Sequence, residues 1–481
     1  MFPLASLRPR SNTLHSPPPR TMKSITAEQL ANATAGTISN RGTRTITDGL
    51  TTDSRAVTPG CIFLALCGER FDGNDYAAAA SQTAAAVVVS RKVGEYAPDC
   101  TVVEVADTLE ALQSLASWWR RELEPLHVVG LTGSSGKTST KDMCLAVLSR
   151  KYNALATKGN LNNHIGTPLS ILAAEKGTEA AIWEMGMNHA GELAPLCRMT
   201  RPHIGIITTI GSAHMEYLGS REAIAEEKCT VARALPEDGY MIYPAADDFA
   251  ATIAASTKAT PLPVGGSDSA VRALNVRSTA AGSSYELSID GVGCIRIELP
   301  VPGTHMVSNS LLAAAAGWKL GCTLEQIAEG LSMASLTKGR LACKEVDGYT
   351  VVDDTYNANP ESMKAALDTV ATLRGPKRRF AVLGKMGELG EGGIAAHEEI
   401  GLCAAGLDYA AVIVVGEECA ETLALCKGAA DRIPAMLVST PAEAAAALRQ
   451  MMEPGDAILF KGSRSAGMEH TMYELFPTLK P

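Results

Sequence analysis

The stretch Val128-Val129-Gly130-Leu131-Thr132-Gly133-Ser134-Ser135-Gly136-Lys137-Thr138-Ser139-Thr140 holds the residue types a phosphate cradle needs. A short apolar run meets a glycine turn, and Lys137-Thr138 open a segment with Met143, Ala146 and Val147 at helical spacing. Backbone N–H groups in such a turn, at a helix N-terminus, point at an anion. Lys137 can reach terminal phosphates and the Thr138 hydroxyl suits Mg²⁺, so ATP is the expected guest of Gly133, Ser134, Ser135, Gly136, Lys137, Thr138 and Ser139. The strict P-loop pattern has a glycine where Leu131 stands. The shorter Gly133-x-x-Gly136-Lys137-Thr138 form therefore carries the expectation, against an ordinary Gly/Ser turn capping a helix.

Other chemistry-bearing residues fall near strand ends. Glu184 closes the run Ala181-Ile182-Trp183-Glu184, and His214 lies just past Ile204-Gly205-Ile206-Ile207-Thr208-Thr209. Ligands of parallel sheets sit at the carboxyl ends of strands, so a carboxylate and an imidazole there can hold a metal ion beside the cradle. Taken singly, a strand-end glutamate is as readily a solvated loop charge, and a lone histidine is more often a satisfied structural group. Asn160-Leu161-Asn162-Asn163-His164-Ile165-Gly166 is amide-rich, which suits an ordered binding loop or a helix-capping turn. Lys228 sits among Glu222, Glu226 and Glu227 on a helical stretch, where most lysines pair with glutamates at the surface. Asp53-Ser54-Arg55 could meet a phosphate-bearing ligand, though such a triplet is more often a solvated turn. Asp354-Thr355-Tyr356-Asn357-Ala358-Asn359 joins a strand to a helix, where binding residues belong, and Lys461-Gly462-Ser463-Arg464 occupies the corresponding place after the last strand. Two cationic heads suit a carboxylate or phosphate, Arg464 bidentately.

The elements that must position these residues alternate as strands and helices. At 481 residues the chain is too long for one core, and about two to four domains are expected. A net charge of −9 with scattered Lys and Arg argues against a nucleic-acid surface. Twelve cysteines without a C-x-x-C pair, Cys144 and Cys197 among them in apolar helical patterns, fit reduced thiols and a cytoplasmic setting. No run of eighteen apolar residues occurs, so no membrane insertion is expected. Residues 1–21, with Arg8, Arg10, Arg20 and Pro17-Pro18-Pro19 and no acidic residue, should be a disordered extension, whether a transit-like leader or the product of an upstream start. A small α/β domain then runs over 22–125, a central parallel sheet over 126–337, and a C-terminal doubly wound, Rossmann-like sheet over 338–481. Residues 261–299 change texture and read as a β-rich insertion. The capping box at Thr440 and the cap Asn359-Pro360 open helices of the last domain.

Together these loops resemble the Mur ligase family of peptidoglycan-building, ATP-dependent amide ligases, from about Met22 to the end. The resemblance rests on Thr132 to Thr138, Gly159 to Gly166, Glu184-Met185-Gly186-Met187-Asn188-His189-Ala190-Gly191-Glu192, Asp353 to Ser362 and Lys461 to Arg464. It implies three domains that bind in turn a UDP-linked precursor, ATP and an amine acceptor. Tyr356-Asn357-Ala358-Asn359-Pro360 and Asn160 to Gly166 resemble the branch that joins D-alanyl-D-alanine to a UDP-N-acetylmuramoyl-tripeptide. The resemblance implies that Ser54 and Arg55 hold the UDP portion, that Lys137 and Thr138 bind ATP phosphates and Mg²⁺, and that Glu184 and His214 hold a magnesium ion. It places Asn309, Arg340 and Asp354 against ATP, matches Lys228 to a position carbamylated in several members, and implies a monomer with a mobile C-terminal domain. Substrate contacts are expected from Asn162, Asn163, Tyr356, Asn357, Asn359, Lys461 and Arg464. Three positions depart from the family pattern: Gly384-Lys385 in place of Gly-Asp, Ala466-Gly467 after Ser465, and Cys67 where lysine is common. A related ligase with another acceptor, or a silent nucleotide-binding homologue, stays open on sequence alone.

Overall fold

The computed structural model describes residues 25–68 and 71–480; the extension expected over 1–21 lies outside them, as do Glu69 and Arg70. The chain divides into two compact units, one formed by residues up to Glu122 with Ile171–Lys176, the other by Leu123–Ser170 and the chain from Gly177 onward.

The first unit opens with the helix Ala27–Ala33. The Thr26 side chain accepts from Gln29 N while the Gln29 side chain accepts from Thr26 N, so two otherwise orphaned donors are satisfied reciprocally. Strands β1 (Thr37–Asn40), β2 (Leu50–Thr51), β3 (Ile62–Leu64), β4 (Ala86–Val89) and β5 (Thr101–Glu104) form one sheet in the order β1-β5-β4-β3-β2. It is parallel except for the β1–β5 edge. The apolar runs read from sequence as strands are buried because helices cover them. Trp119 on the helix Thr108–Glu122 donates its indole N–H to Ala174 O (2.9 Å), which ties 171–176 to this unit.

The second unit holds two sheets. Strands β6 (His127–Thr132), β7 (Ala154–Ala156), β8 (Ala180–Glu184), β9 (Ile204–Ile207), β10 (Tyr240–Pro244), β11 (Thr260–Val264), β12 (Val271–Thr279), β13 (Gly282–Ile289) and β14 (Gly293–Leu299) stand in the order β14-β13-β12-β11-β10-β9-β6-β8-β7. From β7 to β12 neighbours run parallel; β12 to β14 is an antiparallel meander. The stretch read as an insertion thus extends the central sheet. Alternating Thr, Ser and Val specify strands with two unlike faces, but not the sheet they join. Chain order reverses around β6, with β8 on one side and β9 on the other, and this is where parallel sheets bind ligands.

The remaining strands are β15 (Ala342–Val346), β16 (Tyr349–Asp354), β17 (Arg379–Gly384), β18 (Ala411–Val415), β19 (Ala435–Val438) and β20 (Ala457–Lys461), in the order β15-β16-β20-β17-β18-β19. All pairs but β15–β16 are parallel. Both faces are covered. Ala381, Leu383, Val412 and Leu459 pack with Met363, Leu367 and Ile400, while the alternate Phe380, Val382, Ile413 and Ile458 pack with Leu448, Met468 and Met472. Each buried Leu, Ile or Phe contributes about 1.5–3 kcal/mol, so runs that are apolar on both faces commit these strands to the centre of a doubly wound sheet. The chain is an α/β protein with three sheets.

Candidate functional site

The cradle follows β6 and lies between the ends of its two neighbours. Leu131 pairs with Glu184 on one side and Thr132 with Ile207 on the other. Gly133 has φ +152°, and a Cβ there would fall 1.9 Å from Thr208 Oγ1; at Gly136, φ +80°, it would fall 2.7 Å from Asn309 Oδ1. Only glycine allows both the turn and these approaches. Ser134 N donates to Thr209 O (2.8 Å), Gly211 N donates to Ser134 Oγ (2.8 Å), and Thr208 Oγ1 donates to Ser135 O (2.5 Å). The turn is therefore fixed in advance. The helix Lys137–Leu148 has no side-chain cap at Gly136, which leaves its first N–H groups for an anion. Lys137 Nζ donates to Gly133 O (2.6 Å). Burial lowers the pKa of this ammonium from its ordinary value; Glu184 opposes that shift and Arg340 adds to it. A bound anion would oppose the shift.

Glu184 is 3% exposed at the end of β8. Its Oε1 accepts from Asn162 Nδ2 (2.8 Å), and Gly186 N donates to Asn162 O (2.8 Å), so the amide-rich loop serves to aim the carboxylate. Asn163 Oδ1 accepts from Ile165 N and Gly166 N at the start of the helix Gly166–Leu172: it is a cap. His214 Nδ1 lies 2.7 Å from Glu388 Oε2.

From the C-terminal sheet come Arg340, Asp354, Tyr356, Asn357, Asn359 and Lys461. Asp354 and Lys461 face each other in the register of β16 and β20. Lys461 Nζ donates to Asp354 Oδ2 (2.6 Å) and Asn357 O (3.0 Å), and Leu341 N donates to Asp354 Oδ1 (3.1 Å). Lys461 is thus a buried pillar of the loop, a different duty from the free cationic head expected of it. Arg464 does present an exposed guanidinium, held by Glu469 (2.7 Å). Arg340 stacks over the Tyr356 ring, 4.1 Å from its centroid, and donates to Thr138 Oγ1 (3.2 Å). Asn359 caps the helix Pro360–Thr372 and reaches Ser134 O (3.4 Å).

Two cavities meet at this point. One, about 470 Å³, is lined by Ser135, Ser139, Asn309, His305, Arg340 and Asp354; the other, about 550 Å³, by Lys137, Glu184, His214, Arg340, Glu388 and Arg464. Ser134, Arg340, Asn357, Ala358 and Asn359 belong to both. Among the buried atoms that lack a protein partner are Ser135 Oγ in the first cavity, Glu184 Oε2 in the second and Arg340 Nε on the residue that lines both. Buried polar groups require partners. Two donors for phosphate oxygens and one carboxylate oxygen for a cation fit a metal–polyphosphate. No group of three or more His, Cys, Asp and Glu side chains gathers among the described residues.

Lys228, on the helix Arg221–Arg233, is 1% exposed, so the surface-lysine reading is set aside. Burial pushes its pKa well below the ordinary value and Lys137 adds to the shift. Its neighbours bond elsewhere: Glu227 accepts from Gly191 N and Leu193 N, and Glu226 pairs with Arg233. Ser54 and Arg55 stand on a short turn of the first unit, where Arg55 forks onto Asp53 at 2.8–2.9 Å. All twelve cysteines are free thiols, Cys144 and Cys197 buried. Lys385, at the first family departure, pairs with Glu421 (2.8 Å), and Cys67 donates to Asp72 Oδ1 (3.3 Å).

Glu361 and Glu388 were not singled out by sequence. Glu361 accepts from Ser212 N (2.8 Å) and Ser212 Oγ (3.2 Å), joining the C-terminal sheet to the loop after β9. An acidic residue in a first helical turn reads as dipole complement, so nothing local marks it.

Fold and site define a P-loop-type α/β protein built to hold a polyphosphate between two sheets. The Mur ligase middle domain matches residues 131–317, the Mur ligase glutamate ligase domain 339–464 and the Mur ligase family catalytic domain 47–120. The chain belongs to the Mur ligase family. It is 35% identical to the UDP-N-acetylmuramoyl-tripeptide–D-alanyl-D-alanine ligase of Escherichia coli K12, over 94% of this chain and 99% of that protein. MurF from Acinetobacter baumannii superposes with a TM-score of 0.86 at 33% identity, covering 94% of this chain and 99% of that one. MurF ligase from Thermotoga maritima, solved in complex with ADP, gives 0.79 at 29% identity over 89% and 96%. No helix among the described residues is long and apolar enough to cross a membrane.

Proposed function

We propose that this chain is the ATP-dependent ligase that joins D-alanyl-D-alanine to UDP-N-acetylmuramoyl-tripeptide, the last nucleotide-precursor step of peptidoglycan synthesis, and that it acts in the cytoplasm as a monomer. The observation that carries the reading is the set of unpartnered buried atoms along the two cavities, Ser135 Oγ in the first, Glu184 Oε2 in the second and Arg340 Nε on the residue that lines both. In this reading ATP lies with its base side in the cavity of Asn309 and Asp354 and its phosphates on Gly133 to Ser139. Thr138, Glu184 and His214 hold Mg²⁺, which when bound neutralises charge on the transferring phosphoryl group.

A carboxylate does not condense with an amine in water. The terminal carboxylate of the tripeptide attacks the γ-phosphorus, ADP leaves, and an acyl phosphate forms. Lys137 and Arg340 stabilise the charge gathering on the transferred group. The free amine of D-alanyl-D-alanine then attacks the acyl carbon, the C–O bond to phosphate breaks so that phosphate leaves with one former carboxylate oxygen, and the proton lost by the nitrogen passes to solvent or the released phosphate. Tyr356, Asn357, Asn359 and Arg464, with Lys461 bracing their loop, are the proposed contacts of the acceptor; Asn162 and Asn163 shape the rim, and Ser54 and Arg55 take the UDP portion. In this assignment 22–125 serves the UDP precursor, 126–337 ATP, and 338–481 the acceptor and closure over ATP, which keeps water from the acyl phosphate. Burial lowers the pKa of Lys228 and so favours its neutral amine, the form that adds CO₂ to give a carbamate with loss of a proton, which would support the metal.

Phosphate release from ATP with UDP-tripeptide, with and without D-alanyl-D-alanine, tests the reading. Release is expected to depend on the dipeptide and to fall by about a thousandfold in Lys137→Ala. Dipeptide-independent release, or release only with another amino acid, would point to a related ligase. Nucleotide binding without turnover on any acceptor would leave a binding protein.

A further inference from the structure

His214 and Glu388 are both non-glycine residues in the left-handed region, with φ +68° and +61°, and they face one another from the central and C-terminal sheets. A side chain on a left-handed residue is strained, and such residues persist where contacts over-determine them. Here the contacts are specific. His214 Nδ1 lies 2.7 Å from Glu388 Oε2, Glu216 N donates to Glu388 O (3.2 Å), and a Cβ on Gly390 would fall 3.2 Å from Glu216 Cα. The loop after β17 is thus seated on the turn that carries His214. A carboxylate accepts, so in this contact Nδ1 carries the proton, and in the neutral ring the free lone pair is then on Nε2.

We propose that Glu388 is a positioning residue that fixes the tautomer and ring orientation of His214, so that docking of the C-terminal sheet completes the metal site of the central one. The inference rests on the proposed role of His214 toward Mg²⁺. A metal-ligating histidine takes its orientation from the group that accepts from its other nitrogen, and loss of that group typically costs 10- to 100-fold in metal affinity. A bridge between the two sheets alone would need neither a tautomer nor a strained carrier on each side.

The test measures two things that a bridge alone would not move. One is the ¹⁵N signature of the His214 ring, assigned with His214→Ala. The other is Mn²⁺ affinity by electron paramagnetic resonance in the presence of the β,γ-imido analogue of ATP. Wild type and Glu388→Gln, whose amide oxygen still accepts, are expected to show the Nδ1–H tautomer and similar affinity. Glu388→Ala is expected to mix the tautomers and bind Mn²⁺ about 10- to 100-fold more weakly. Glu388→Asp, which keeps the charge but withdraws it by one methylene, should follow Glu388→Ala and serves if the alanine variant does not fold. Wild-type tautomer and affinity in both Glu388→Ala and Glu388→Asp would overturn this inference alone, provided His214→Ala weakens Mn²⁺. Mn²⁺ binding indifferent to His214→Ala would overturn the metal reading beneath it.

Discussion

Glycine at 133 and histidine at 305 show how single positions constrain the site. Gly133→Ala would drive a methyl into Thr208 Oγ1 in a backbone region that L-residues avoid, and so deform the cradle before any ligand arrives. Nucleotide affinity, measured by isothermal calorimetry, is expected to fall by about a hundredfold. His305, in the first cavity, has its pKa pushed down to about 4 by burial; Asp354 opposes the shift and Lys461 adds to it. The folded state therefore holds this ring neutral where the unfolded chain protonates it near pH 6.5. The stability it contributes is complete above that pH and is lost as pH falls from about 6.5 toward 4. The denaturant midpoint should decline over this interval, and His305→Asn should flatten the decline.

Strand register and helix caps do the work that loops alone could not. Because β16 and β20 are parallel neighbours, Asp354 and Lys461 end side by side and bury their charges against each other. Removing one partner of a buried pair leaves the other uncompensated, at a cost of about 3–5 kcal/mol. Lys461→Ala is expected to show that loss in urea unfolding; a change confined to the KM for the acceptor, with stability intact, would mean Lys461 acts only on substrate. Asn359→Ala removes a cap, at about 1 kcal/mol, together with the reach to Ser134 O. It should lower stability by that amount and raise the KM for ATP as well, since the cap and the cradle share one side chain.

Within the second unit, ligand and fold are coupled because the two sheets meet at the cradle itself, through Arg340 to Thr138, Glu361 to Ser212 and Asn359 to Ser134. Anything that binds only the folded state stabilises it by mass action, about 2.7 kcal/mol at a hundred times Kd. Mg²⁺-ATP at that excess should raise the melting temperature of wild type. Arg340→Ala at the same nucleotide concentration should show little of the rise, because it loses both the guanidinium over Tyr356 and the unpartnered Nε at the junction.

Much of this was legible in the residues themselves. Continuous apolar runs committed β6, β8, β17 and β18 to buried parallel sheets, and the glycine turn before Lys137-Thr138 marked a strand-to-helix junction, since both follow from local periodicity and backbone freedom. Caps at Thr26, Asn359 and Thr440 were equally local. What only tertiary structure decided were contacts between residues distant in the chain. The 261–299 strands extend the central sheet because β11 pairs with β10 and Val264 in turn with Val271, choices periodicity does not make. Lys228 is buried although its neighbours are glutamates, and Lys461 is a pillar rather than a free cation. Glu361 and Glu388 gain their roles from Ser212 and His214, which lie 149 and 174 residues away. Spacing along a chain encodes what neighbours on one element share; it carries no distance between elements, and that distance sets burial, charge pairing and the hydrogen-bond partner of a side chain.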